Sequence, residues 1–139
     1  MARVFISHSS RDGAAARWIA DWLLEQGYEA PFLDFDKHVG IPPGADWERT
    51  LYREIETCQA LLIVQSAHWM GSKWCFAEFI QARSLGKPIF QLLGTDPDDD
   101  PASAGPLAPI AADLQQLDLG QDREAGLAAL ARQLQELAL

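Results

Sequence analysis

Apolar residues recur at two periods along this chain. Residues 3–7, 28–33, 61–65 and 88–93 are short apolar runs bounded by turn residues, and they read as strands. The run at 61–65 is apolar almost throughout, the pattern of a strand buried on both faces. Between the strands the spacing turns helical. Ala15, Trp18, Ile19, Trp22 and Leu23 share one face, with Gly27 as the stop. Trp47, Leu51, Ile55 and Cys58 form a second face behind Asp46, which is placed to cap it. Cys75, Phe79 and Ala82 form a third, opened by Ser72 and ending near Gly86. A weak fifth strand is expected at 114–119. Leu127, Leu130, Leu134 and Leu137 then mark a last helix over 125–137. Strand–helix alternation from the first residues predicts the α/β class, a parallel sheet with helices on both faces. Residues 96–109 are rich in Asp, Pro, Ala and Gly and read as a loop.

No internal repeat or linker interrupts this order. A chain of 139 residues suits one domain, residues 1–139, either whole or as part of a longer protein. Ligand sites in such sheets lie beyond the strand C-termini. That places residues 7–12, 34–45 and 66–74 around one mouth. Glu78 stands three residues after Cys75 and four before Ala82, on the border of an apolar helix face. It is past the first helical turn, where the dipole no longer favours an anion strongly. A carboxylate there either reaches solvent, the commoner fate, or lines the mouth.

Composition narrows the partners. The net charge is −9, with 9 basic and 11 acidic side chains in residues 1–90 but 2 and 9 in residues 91–139. No basic stripe is present, so no direct nucleic-acid partner is expected. No apolar run approaches the roughly 20 residues of a membrane span, so no membrane partner is expected either. The first residues enter a strand pattern without a secretory segment, and the expectation is a cytoplasmic protein. Cys58 and Cys75 then read as reduced, buried thiols. His8, His38 and His68 share no ligand spacing, and no metal is expected. Each of the 5 tryptophans needs burial or a partner for its ring. Trp18 and Trp22 lie on a core face and read as packing.

The segments Val4-Phe-Ile-Ser-His-Ser9, Gly40-Ile-Pro-Pro-Gly44, Ser72-Lys-Trp-Cys-Phe-Ala-Glu78 and Gly86-Lys-Pro-Ile89 stand in an order and spacing that resembles a TIR (Toll/interleukin-1 receptor) domain. The resemblance covers residues 3–93 closely and the last third in outline. The Trp-Cys-x-x-Glu arrangement is similar to that of the bacterial and plant NAD-cleaving members. It implies a flavodoxin-like three-layer fold with a five-stranded parallel sheet of order 2-1-3-4-5. It also implies cleavage of the nicotinamide–ribose bond of NAD+, giving ADP-ribose or a cyclic ADP-ribose, in bacterial immune and antiviral signalling. Carried onto this chain, the catalytic residue is Glu78.

Further expectations follow for binding. Ser9, Ser10 and Arg11 stand where the loop after the first strand meets phosphate or ribose, although Ser9 and Ser10 suit helix capping equally well. Asp36 suits a ribose hydroxyl, or simply a turn. Trp47 or Trp74 suits stacking on a base. NAD+ enters as substrate, with no other cofactor. The family's contact loop maps to Gly40, Ile41, Pro42, Pro43 and Gly44, stiff and partly apolar, which implies homotypic TIR–TIR association. Head-to-tail contact of that kind gives open filaments.

Other functions of the same fold class fit less well. A receiver domain wants an aspartate where Gln65-Ser66 stand. A dinucleotide-binding domain or a P-loop wants glycines that residues 8–13 lack. A nucleoside deoxyribosyltransferase also breaks an N-glycosidic bond with a glutamate. The alternative from a different class is a non-catalytic TIR adaptor acting through TIR–TIR contacts.

Overall fold

The computed structural model describes residues 3–30, 45–64, 67–70, 73–93, 115–120 and 122–137. Four strands, β1 (Val4–Ser7), β2 (Ala60–Val64), β3 (Ile89–Leu93) and β4 (Gln115–Asp118), form one sheet in the order β1-β2-β3-β4. Every pairing is parallel. The helices are α1 (Gly13–Glu25), α2 (Ala45–Thr57), α3 (Ala67–Met70), α4 (Lys73–Ser84) and α5 (Arg123–Glu136).

The expected strand at 28–33 is described only to residue 30, where Glu29 forms a parallel bridge with Arg3. Backbone direction fixes its place. The Val4 N–H donates to the Glu29 carbonyl at 2.8 Å, while the Arg3 carbonyl accepts from Gln59 N–H at 2.8 Å. Neighbouring residues of a strand turn these groups to opposite sides. Glu29 therefore lies on the edge of β1 away from β2. That is the place the second strand takes in the order 2-1-3-4-5.

Alternation along the strands sorts the core into two layers. Val4 and Ile6 pack with Ala60, Leu62, Val64, Phe90 and Leu92 against α1 and α5. Phe5 packs with Leu61, Ile63 and Ile89 against α2, α3 and α4. Helices thus cover both faces of an open parallel sheet, the flavodoxin-like arrangement. Trp18 and Trp22 are half-buried against the first layer, and the Arg123 guanidinium stacks 4.4 Å over the Trp18 ring.

Helix ends follow local chemistry. Gly27 at φ 92° and Gly86 at φ 70° take the left-handed conformation that stops α1 and α4. Asp122 Oδ1 accepts from Ala125 N–H at 3.1 Å and starts α5 two residues before the predicted boundary. Leu130 and Leu134 are buried as the spacing predicts, but Leu137 is 39% exposed because α5 has ended at Glu136. Asp46 does not precede its helix: α2 begins at Ala45, so Asp46 falls within it. Cys58 lies just past α2, not inside a helix, with its thiol donating to the Ile55 carbonyl at 3.1 Å. Both cysteines are buried free thiols.

Candidate active site

Ser7 ends β1, and pleating points it to the same face as Phe5, under α4. On α4, Cys75, Glu78, Phe79 and Ala82 sit at i, i+3, i+4 and i+7, and all four are buried. Glu78 is 1% exposed, so it does not reach solvent from the helix flank. It lies within the buried stripe. The cause is packing on two sides: α2 and α3 both contact α4, and their Leu51, Ile55 and Trp69 share its apolar layer.

The carboxyl has a specific partner at the strand end. The Ser7 hydroxyl donates to Glu78 Oε1 at 3.3 Å. The Trp69 indole N–H donates in turn to Ser7 Oγ at 2.9 Å. The Trp69 ring meets Phe79 edge-on, with centroids 6.4 Å apart. All four side chains are buried. Burial pushes the Glu78 carboxyl well above the usual range for glutamate, and the Ser7 hydrogen bond opposes this only in part. Among the described residues Glu78 forms no ion pair. Its environment therefore disfavours the charged form relative to a glutamate in water. A cation brought against it would reverse that preference.

This constellation stands at the C-terminal edge of a parallel sheet, where such folds place ligands. Gln91 of β3 is also fully buried there. Registers Ser7↔Ile63 and Ile63↔Gln91 put it in the same row across the sheet.

The remaining expectations divide. Ser9 is buried, and its hydroxyl accepts from Arg11 N–H at 3.3 Å, capping a short 3₁₀ turn, Ser10–Asp12, that leads into α1. Arg11 is exposed on that turn, beyond the end of β1. His8 is buried beside Ser7. Trp47 and Trp74 belong to α2 and α4, but their side chains, like that of Ser10, lie outside the described part. Asp36 and the loop Gly40, Ile41, Pro42, Pro43 and Gly44 lie outside the described residues. Two residues of the constellation carried no assigned role in the sequence. Strand parity was the available signal for Ser7. For Trp69 it was the need of a buried indole N–H for an acceptor.

Among the described residues, no group of three His, Cys, Asp or Glu is placed to hold a metal. No described helix is long and apolar enough to cross a membrane.

Residues 4–134 match a family model described as TIR domain. No curated protein matches the chain. Among solved structures, it is similar to the TIR domain of the Toll-related receptor TRR-2 from Hydra magnipapillata. That likeness covers 98% of each chain at 15% identity, with a TM-score of 0.67. It is similar as well to the TIR domains of the activated Roq1 resistosome, which directly recognises the pathogen effector XopQ. There the cover is 100% of each chain at 13% identity, with a TM-score of 0.63.

Proposed function

The chain belongs to the TIR domain family, and from that premise we propose that it cleaves the nicotinamide–ribose bond of NAD+, with Glu78 as the catalytic residue. The observation that carries the proposal is a buried carboxyl, hydrogen-bonded to Ser7 at the C-terminal edge of a parallel sheet.

One carboxyl suffices because of the substrate. A glycosidase acting on an ordinary sugar needs a second group to protonate an alkoxide leaving group. In NAD+ the nicotinamide nitrogen already carries the positive charge. When the C1′–N bond breaks, its electron pair stays on that nitrogen, and nicotinamide leaves neutral. The positive charge passes to the ribose as an oxocarbenium-like centre. A carboxylate beside it stabilises that charge and accepts from a ribose hydroxyl. Water adding at C1′ loses a proton and gives ADP-ribose. A nucleophilic group of the same molecule held there gives a cyclic product. Burial raises the pKa of the Glu78 carboxyl, and a pyridinium brought near would lower it, so substrate binding favours the carboxylate.

TIR domains self-associate, and the Roq1 TIR domains belong to an activated resistosome. That likeness supports homotypic assembly of this chain; a contact through residues 40–44 and a role as a cytoplasmic signalling enzyme of bacterial immunity belong to the same proposal. A second reading, an adaptor without catalysis, draws on Phe76 and Ile80. These are 46% and 41% exposed one turn apart on α4 and suit a protein contact.

Nicotinamide release from NAD+ by chain clustered on a support separates the two. Release by wild type that Glu78→Ala abolishes is the expected outcome. No release from clustered wild type leaves the adaptor. Release undiminished in Glu78→Ala removes Glu78 from the reaction.

A further inference from the structure

We infer that Trp69 and Ser7 are positioning residues that commit Glu78 Oε1 to a hydrogen bond and leave Oε2 to the substrate. The inference rests on the reading of Glu78 as the catalytic carboxyl.

The order of donors sets the direction of the chain. An indole N–H can only donate. At 2.9 Å it occupies one lone pair of Ser7 Oγ. The serine hydroxyl has a single proton, and Ser7 is fully buried. Its acceptor is Glu78 Oε1 at 3.3 Å. Oε1 is therefore an acceptor, and in the protonated form the proton belongs on Oε2. Loss of that proton bares Oε2 for a ribose hydroxyl without any rearrangement around Oε1.

The lengths say when the contact acts. At 3.3 Å it is about 0.5 Å longer than a typical hydroxyl–oxygen bond. A hydroxyl donating to an ionised carboxylate closes to roughly 2.5–2.7 Å. The bond thus strengthens as Glu78 gains charge, which is the change the reaction needs. Trp69 is held for this task by its edge contact with Phe79, the residue after Glu78. One indole so touches α4 directly and, through Ser7, touches the carboxyl that α4 carries.

Among the described residues the polar groups of this layer are few, and the buried Gln91 of β3, in the same row as Ser7, is one of them. β1 presents Phe5 and Ser7 to this layer, α2 presents Leu51 and Ile55, α3 presents Trp69, and α4 presents Cys75 and Phe79. Among the described residues Cys75 is the titratable member of these faces besides Glu78 itself. The half-buried Glu54 of α2 is paired with Arg3 at 2.8 Å, His68 of α3 is exposed, and His8 and Asp12 are buried after β1.

The test compares Ser7→Ala, Trp69→Phe, the double variant and Ser7→Thr in the full chain, by NAD+ kinetics against pH and by ¹³C NMR titration of the Glu78 carboxyl without substrate. Ser7→Ala is expected to lower kcat about tenfold with KM nearly unchanged. It should also move the acid limb and the carboxyl titration up by about one pH unit. Trp69→Phe should shift both in the same direction by less. Added to Ser7→Ala, it should change neither further, because it acts through Ser7. Ser7→Thr, which keeps the hydroxyl, should stay near wild type. Fully additive effects, or a titration that ignores Ser7→Ala, would overturn the inference. If clustered wild type releases no nicotinamide, the proposed reaction fails. The NMR titration then decides the positioning role alone.

Discussion

The Ser7 hydroxyl reaches Glu78 Oε1 at 3.3 Å across 71 residues of sequence. It joins the last residue of the first strand to the middle of the fourth helix. This polar contact only partly offsets the burial of a carboxyl that would be ionised in water at neutral pH. A site held this way carries a penalty in stability that its function would explain.

Glu78→Gln is expected to stabilise the protein by about 0.5–2 kcal/mol near neutral pH. The sign follows from linkage. Below the ordinary glutamate value of 4.5, the group is neutral in both folded and unfolded chains. Above it, the unfolded chain ionises while the folded one resists. Wild-type stability therefore falls as pH climbs from there toward the raised folded value. Thermal melts from pH 4 to pH 8 should show the two proteins converging at the acid end. A gap of constant size would mean that Glu78 titrates normally.

Gly27 ends α1 at φ 92°, with open space around the position of a Cβ. Gly27→Ala is expected to destabilise by about 1–2 kcal/mol through backbone strain alone. Gly27→Asn should lose less, because Asn visits this conformation more readily. Urea unfolding of the two variants measures the difference. Equal losses would point to a side-chain clash instead.

Asp122→Ala removes the acceptor for Ala125 N–H and should destabilise by about 1 kcal/mol. Asp122→Asn should remain close to wild type, since its side-chain oxygen can accept the same bond. Loss in both variants alike would assign the effect to charge at the helix start rather than to the cap.

Self-association should weaken in Pro43→Ala and in Gly44→Ala, by light scattering across a concentration series. NAD+ cleavage should fall with it in both. Assembly unchanged in both variants would remove the loop Gly40–Gly44 from the contact.

Much of this architecture is legible from periodicity. The strands, the faces of α1 and α4 and the stops at Gly27 and Gly86 follow from spacing and backbone preference. The stripe at Cys75, Phe79 and Ala82 pointed to Glu78. The depth of Glu78 did not follow, because the border of a helix face is buried or bare according to what packs beside it. That neighbour is partly α3, whose four residues are too few to show a period. For the same reason Trp69 could be expected to need a partner without that partner being Ser7. The exposure of Leu137 escaped because a heptad-like spacing says nothing of where the helix stops.

The all-parallel sheet also bears on how the molecule comes together. Its pairings Val4↔Ala60, Leu61↔Ile89 and Phe90↔Gln115 span 56, 28 and 25 residues. No local hairpin can seed such a sheet, and the widest loop must close before β1 docks. Pulse-labelled hydrogen exchange should find the amides of Phe5 to Ser7 protected after those of β2 and β3. The carboxyl at Glu78 meets its hydroxyl only when that first strand arrives. A nascent or half-unfolded chain therefore lacks this contact, and the proposed reactive centre is complete only once β1 has docked.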